Sequence, residues 1–281
     1  MGKCDAELLK ELGVPVKEIP ECKKRNRKTV KNCKEAKKRH LGRDNIKSEK
    51  HKESRRDSVR PLTAKSDNQR KALKAFTNKQ VVLLSGSSGS GKTELACWWA
   101  SKLYLEGKID NIIITRPHKH LGEDYGAVKG NDAEKLLPFC MSMLMKFKKY
   151  LGVGILRSDF KLDGFDTLFA EANGIQIVPV EKIQGLSFDE RTIVIADEIQ
   201  SATIAQVKAL ATRCEMGSQL LICGDGIQSP LKGKNGIQYL EEVFTQHPHE
   251  LTDVIKFTPA DNCREGVTKH LTDIFERDGQ W

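Results

Sequence analysis

From residue 66 onward, short and almost wholly apolar runs alternate with longer stretches where apolar positions return every three or four residues. Residues 80–85 (Gln-Val-Val-Leu-Leu-Ser), 111–115 (Asn-Ile-Ile-Ile-Thr), 175–180, 192–196 (Thr-Ile-Val-Ile-Ala) and 219–223 (Gln-Leu-Leu-Ile-Cys) read as strands. Strands without a polar face belong to a sheet covered on both sides, which means a parallel sheet. Helices are expected at 68–76, 93–105, 138–151 and 203–214. The alternation predicts an α/β fold, a parallel sheet with helices on both faces. Met141, Met143, Met145 and Phe147 are expected as adaptable core filling within the third helix.

The first sixty of the 281 residues break this pattern. Residues 6–12 have helical spacing, but Pro15 and Pro20 stop it, and 23–60 carry no apolar stripe. This stretch holds 20 Lys and Arg against 10 Asp and Glu, a net +10, whereas the remaining 221 residues sum to −1. Sixteen of the sixty are apolar and none is aromatic, too little burial to offset the chain's conformational entropy. Residues 1–60 are therefore read as a basic, largely disordered arm and 61–281 as the folded domain. Lys23, Lys24, Arg25, Lys37, Lys38 and Arg39 form either a solvated run or contacts to nucleic-acid phosphates. The density of charge favours nucleic acid, and the lack of stacking rings implies binding without sequence preference.

No apolar run approaches the roughly 18 residues of a membrane span. The eight cysteines show no pair at zinc-knuckle spacing and no disulfide framework, so reduced thiols and a cytoplasmic location (a host's, for a viral chain) are expected. His118, His120, His247 and His249 have no accompanying Cys or acid set and are read as loop surface rather than metal ligands.

The first strand runs directly into Gly86, Ser87, Ser88, Gly89, Ser90, Gly91, Lys92 and Thr93, with a helix to follow. This is G-x-x-x-x-G-K-T in its required strand–loop–helix setting. Glycines let successive N–H groups turn inward around phosphate oxygens, and the helix N-terminus adds its positive dipole end. Lys92 supplies a charge to the outer phosphates of a nucleotide, and the Thr93 hydroxyl is a Mg²⁺ ligand. A chance match in a Ser/Gly-rich loop would not bring both flanks with it.

Such a site needs a second metal-holding group on a neighbouring strand. Asp197 stands at the carboxyl end of the 192–196 strand, with Glu198 behind it to polarise a water for attack on the γ-phosphate. Acids there could merely cap the next helix. Gln228, after Gly224-Asp-Gly226, would sense the γ-phosphate, although alone that segment reads as an ordinary turn.

Together, Asn68-Gln69, the phosphate loop, Thr115-Arg116-Pro117, Asp197-Glu198-Ile-Gln200 and Gly224-Asp-x-x-Gln228 resemble the PhoH family. Further matches are Gly122-Glu123-x-x-Gly126, Glu134-Lys135, Thr212-Arg213 before Gly217-Ser218, and Phe257-Thr258-x-x-Asp261-x-x-Arg264. The likeness spans roughly residues 62–280 and looks most like a compact viral or phage member. It implies a RecA-like P-loop ATPase akin to the first motor domain of superfamily 1 helicases. By that resemblance Gln69 would bond the adenine edge and Asp197 would bind Mg²⁺ through water, with Glu198 as general base. Gln228 would be the sensor and Arg116 a nucleic-acid backbone contact. Arg264 would stabilise transition-state charge, with Arg213 as its weaker rival. Residues 183–187 (Ile-Gln-Gly-Leu-Ser) depart from the basic residues the family often carries there.

The expected function is Mg²⁺-dependent ATP hydrolysis coupled to binding or remodelling single-stranded RNA or DNA, with duplex unwinding as one form of it. A nucleotide-gated binding module with slow turnover and a small-molecule kinase stay open as alternatives. Superfamily 1 motors use two cores, and only one fits here. A homo-oligomer is therefore expected, with a hexameric ring as one closed form and Arg264 reaching a neighbour's site. A local surface salt bridge is the other reading of Arg264.

Overall fold

The computed structural model describes residues 59–117, 132–161, 174–226, 228–229 and 233–278. Residues 1–58, with the six basic positions of the arm, lie outside the described residues, as do His118, His120 and 122–126.

Among the described residues, seven strands form one sheet: β1 (Val81–Gly86), β2 (Asn111–Arg116), β3 (Phe160–Lys161), β4 (Gly174–Pro179), β5 (Thr192–Ala196), β6 (Gln219–Gly224) and β7 (Thr252–Phe257). Their order is β3-β4-β2-β5-β6-β1-β7, and each neighbouring pair is parallel. Alternate residues of one strand leave by opposite faces. Val82, Leu84, Ile112, Ile114, Ile193 and Ile195 enter one core, and Leu83, Ile113, Val194, Leu220 and Ile222 enter the other. That double burial is why these strands read as unbroken apolar runs. Each fully buried aliphatic side chain contributes about 1.5–3 kcal/mol.

The first core is roofed by α1 (Asp67–Asn78), α2 (Lys92–Leu105), α3 (Asp132–Leu151) and α4 (Val153–Asp159), through residues such as Phe76, Tyr104, Phe147 and Ile155. The second is roofed by α5 (Ile204–Ala211) and α6 (Gly236–Gln246), through Val207, Leu210, Ile237 and Leu240. Helix α7 (Gly266–Asp278) follows β7. Among the described residues, no helix is long and apolar enough to cross a membrane.

Three sequence expectations shift. Helix α3 starts at Asp132 rather than 138 and carries Pro138 inside it, with the buried Leu136 anchoring the turn before the proline. The 175–180 strand ends at Pro179, and Val180 opens a 3₁₀ turn. The methionine cluster divides: Met143 and Phe147 are fully buried, whereas Met141 and Met145 are 47% and 56% exposed. Residues four apart share a helix face, so α3 sends one pair inward and the other to solvent.

Candidate nucleotide site

The carboxyl ends of three adjacent strands, β5, β6 and β1, build one cleft of about 290 Å³. That is just under the roughly 300–1,000 Å³ of small-ligand clefts. Strand β6 pairs with both β1 and β5, so the loop after β1 and the acids after β5 flank the end of β6.

The loop 86–93 is held by its glycines and its own side chains. Gly86 has φ +114°, and a Cβ there would fall 1.9 Å from the Phe257 carbonyl oxygen of β7, so only glycine fits. The buried Ser90 Oγ donates to the Ser87 carbonyl at 2.8 Å, closing the loop from within. Lys92 Nζ donates to the Gly86 and Ser87 carbonyls at 2.6 and 2.7 Å and to Ser90 Oγ at 3.3 Å. Burial pushes the Lys92 ammonium below its ordinary range, against the opposing pull of Asp225, Asp197 and Glu198.

Thr93 Oγ1, in the first turn of α2, donates to Asp197 Oδ1 at 3.0 Å. A hydroxyl and a carboxylate oxygen converging from two elements are the hard donors a Mg²⁺ ion prefers, so these residues fit the metal that the loop implies. Burial raises the Asp197 carboxyl above its usual range and the adjacent Glu198 adds to this, while Arg116 and the Thr93 bond oppose it. Glu198 itself has φ 56° and ψ 36°, the left-handed region that is uncommon for a residue with a side chain. Backbone strain of this kind collects at functional sites, and here it accompanies a carboxylate that lines the cleft.

Gln200, quoted in the sequence only as part of a pattern, joins the two strand ends. Its Nε2 donates to Glu198 Oε2 at 2.5 Å, and its Oε1 accepts from the Asp225 N–H at 3.2 Å. Its backbone carbonyl accepts from Ser229 Oγ at 2.8 Å. Asp225 and Gln228 line the same cleft.

The turn after β7 closes the far side of the loop. Cys263 N–H donates to the Gly89 carbonyl at 3.0 Å, and Arg264 Nη2 donates to Ser88 Oγ at 3.1 Å while Nη1 donates to Thr272 Oγ1 at 2.8 Å. A Cβ on Gly89 would come within 2.9 Å of Arg264 Nε, so the small loop residue admits the arginine. Arg264 lines the cleft of its own chain. The docking of the 262–264 turn on the loop puts it there. Arg213 is used elsewhere, donating to the Ala209 and Gln184 carbonyls.

Gln69 comes to the loop rather than to the cleft lining. Its Nε2 donates to the Ser90 carbonyl at 2.9 Å and to Cys263 Sγ at 3.0 Å, and its Oε1 accepts from the Lys65 N–H at 2.7 Å. Arg116, at the end of β2, donates through Nη1 to the Phe139 carbonyl at 2.7 Å and lies 6.0 Å from that ring's centroid. His249 is bonded locally, its Nδ1 accepting from the Leu251 N–H. Among the described residues no group of three or more His, Cys, Asp or Glu is placed to hold a metal, and the five cysteines there are free.

Glu94, Ser142 and Lys146 also line the cleft and were not singled out from the sequence. Glu94 directly follows Thr93, which was a usable signal. Ser142 and Lys146 arrive from α3, distant in the chain, and no local pattern marks them.

A family model described as PhoH-like protein matches residues 61–276. Protein PhoH of Escherichia coli K12 is 29% identical over 209 residues, covering 74% of this chain and 56% of its own. The PhoH-like protein of Bacillus subtilis 168 is 32% identical over 185 residues, covering 65% and 54%. That of Synechocystis is 27% identical over 218 residues, covering 77% and 62%. The chain thus spans between half and two thirds of these relatives' lengths. Among solved structures, the helicase domain of Pyrococcus furiosus Hef is similar at TM-score 0.42 and 14% identity, covering 73% of this chain and 40% of its own.

Proposed function

We propose, because this chain belongs to the PhoH-like protein family, that its cleft binds ATP and hydrolyses it. The observation that carries this reading is the Thr93–Asp197 hydrogen bond of 3.0 Å beside a lysine-bearing phosphate loop. Thr93 and Asp197 would hold Mg²⁺, which supplies charge neutralisation to the phosphates.

The loop N–H groups and Lys92 bind and orient the phosphates, with Lys92 exchanging loop carbonyls for phosphate oxygens. Glu198 takes a proton from a water whose oxygen attacks the γ-phosphorus, and the bond to the β-phosphate oxygen breaks. Gln200 holds one Glu198 oxygen, leaving the other to face that water. Arg264, from the same chain, offsets the charge that develops on the transferred group. Gln228 reads the γ-phosphate from the β6 end.

We further propose coupling to single-stranded RNA or DNA through Arg116 and the arm residues Lys23, Lys24, Arg25, Lys37, Lys38 and Arg39. The net +10 of residues 1–60 favours this. Self-association now rests on the single core alone, because Arg264 needs no neighbour to reach a loop. Phosphate release from Mg²⁺–ATP, measured with and without single-stranded RNA or DNA, tests the whole reading. Turnover lost in Lys92→Ala and stimulated by either strand is the expected result. A protein that binds no nucleotide in calorimetry would sink it.

A further inference from the structure

Helix α3 crosses the start of α2 at the metal side of the cleft. Its Lys149 Nζ donates to Glu94 Oε1 at 2.6 Å and its Tyr150 hydroxyl donates to the same oxygen. Glu94 directly follows Thr93, whose hydroxyl meets Asp197. One turn earlier on α3, Lys146 and Ser142 line the cleft beside Thr93, Glu94, Asp197 and Glu198. The 146–150 segment is thus tied to the start of α2, beside Thr93.

Lys146 is half-buried, and among the described residues it joins no ion pair. Its sole hydrogen bond there runs to the Ser142 carbonyl of its own helix at 3.3 Å, longer than a usual N–H···O bond. The nearby carboxylate of Glu94 is already engaged by Lys149 and Tyr150. An ammonium beside a cleft that feels the Glu94 carboxylate only at a distance, without a direct ion pair, is suited to an anionic ligand. The flexible four-carbon stem lets it swing from a weak helix-carbonyl bond to that ligand.

We propose that Lys146 is a binding residue for the terminal phosphate of the nucleotide, contributed by α3 in addition to Lys92 and Arg264. This deepens the nucleotide reading above and rests on it. The contact would make the site discriminate a triphosphate from a diphosphate, because a nucleotide with its β-phosphate in the loop would carry its γ-phosphate toward the side of the cleft that Thr93, Glu198 and Lys146 line. It also lets α3 sense the state of the nucleotide. Arg116 holds the same helix two turns earlier, at the Phe139 carbonyl.

Calorimetry on the full chain with a non-hydrolysable ATP analogue and, separately, with ADP provides the test. Lys146→Met should weaken the analogue about tenfold, the worth of one charge-assisted contact, and leave ADP almost unchanged. Lys146→Arg should restore most of the loss. Lys148→Met, an exposed lysine two positions along that does not line the cleft, should change neither ligand. In steady state, Lys146→Met should raise KM for ATP more than it lowers kcat. Unchanged analogue affinity, or an equal loss for analogue and ADP, overturns the assignment. Analogue binding that Lys92→Ala abolishes but Lys146→Met leaves intact overturns this inference alone. Absence of binding by the unaltered chain overturns the nucleotide reading together with it.

Discussion

The Gln200 side chain holds the Glu198 carboxylate at 2.5 Å while its own oxygen accepts the Asp225 N–H at 3.2 Å, so one amide spans the ends of β5 and β6. The proposed base is thereby positioned by the segment that leads to Gln228. Removing the amide with Gln200→Ala should leave nucleotide affinity near its original value, since the amide is already committed to Glu198 and the Asp225 N–H. It should lower kcat by about tenfold or more, the cost of a misplaced base. Rapid-quench measurement of the hydrolysis step, set beside equilibrium binding, checks the split. A parallel loss of affinity would show that Gln200 shapes the pocket instead.

Asp197→Asn should stabilise the fold while abolishing turnover. The buried carboxyl keeps its proton to higher pH in the folded chain than in the unfolded one, mainly through burial and then through Glu198. The folded state therefore binds more protons across that window, and stability falls as pH rises through it. Below the unfolded carboxyl range the variant and the original chain should melt alike. At neutral pH Asp197→Asn should melt higher than the original chain, because the variant buries no ionised carboxylate. Thermal melts at acid and neutral pH, without nucleotide, measure the difference.

Arg264 should act within its own chain. Arg264→Ala should lower kcat by about 10³-fold or more. Mixing it with Lys92→Ala protein should restore nothing, because each cleft takes its arginine from the chain that forms the loop. Activity recovered on mixing would place the arginine in a neighbour's site after all.

The two methionine faces of α3 should separate in a denaturation series. Met143→Ala opens a cavity in the first core and should cost about 2–5 kcal/mol. Met145→Ala, at a solvent-facing position, should fall within about 0.5 kcal/mol of the original. Urea midpoints report both.

Much of the site was legible because its chemistry is local in the chain. The phosphate loop follows β1 without a gap, and Asp197 and Glu198 follow β5 in the same way, so strand and reactive group share one short window. Strand β7 shows no apolar run because it is an edge strand in which only Ile255 and Phe257 are buried. Helix α6 was also passed over, although Asn235 caps it with a reciprocal bond to Gln238. Element ends moved by a few residues where capping or packing, rather than periodicity, decided them, as at Thr203 before α5.

By itself the amino-acid order determined the α/β class, the all-apolar strands and the identity of the loop and its acids. In each case the physical cause acts over neighbouring residues. Only the tertiary structure decided that Arg264 lies over its own loop, that Gln200 ties Glu198 to Asp225, and that α3 brings Lys146 to the cleft. Those contacts join segments far apart in the chain. They exist because β6 lies between β1 and β5, and because the 262–264 turn docks through a backbone bond from Cys263 to Gly89. A bond between two backbones carries no side-chain signature for a sequence to display.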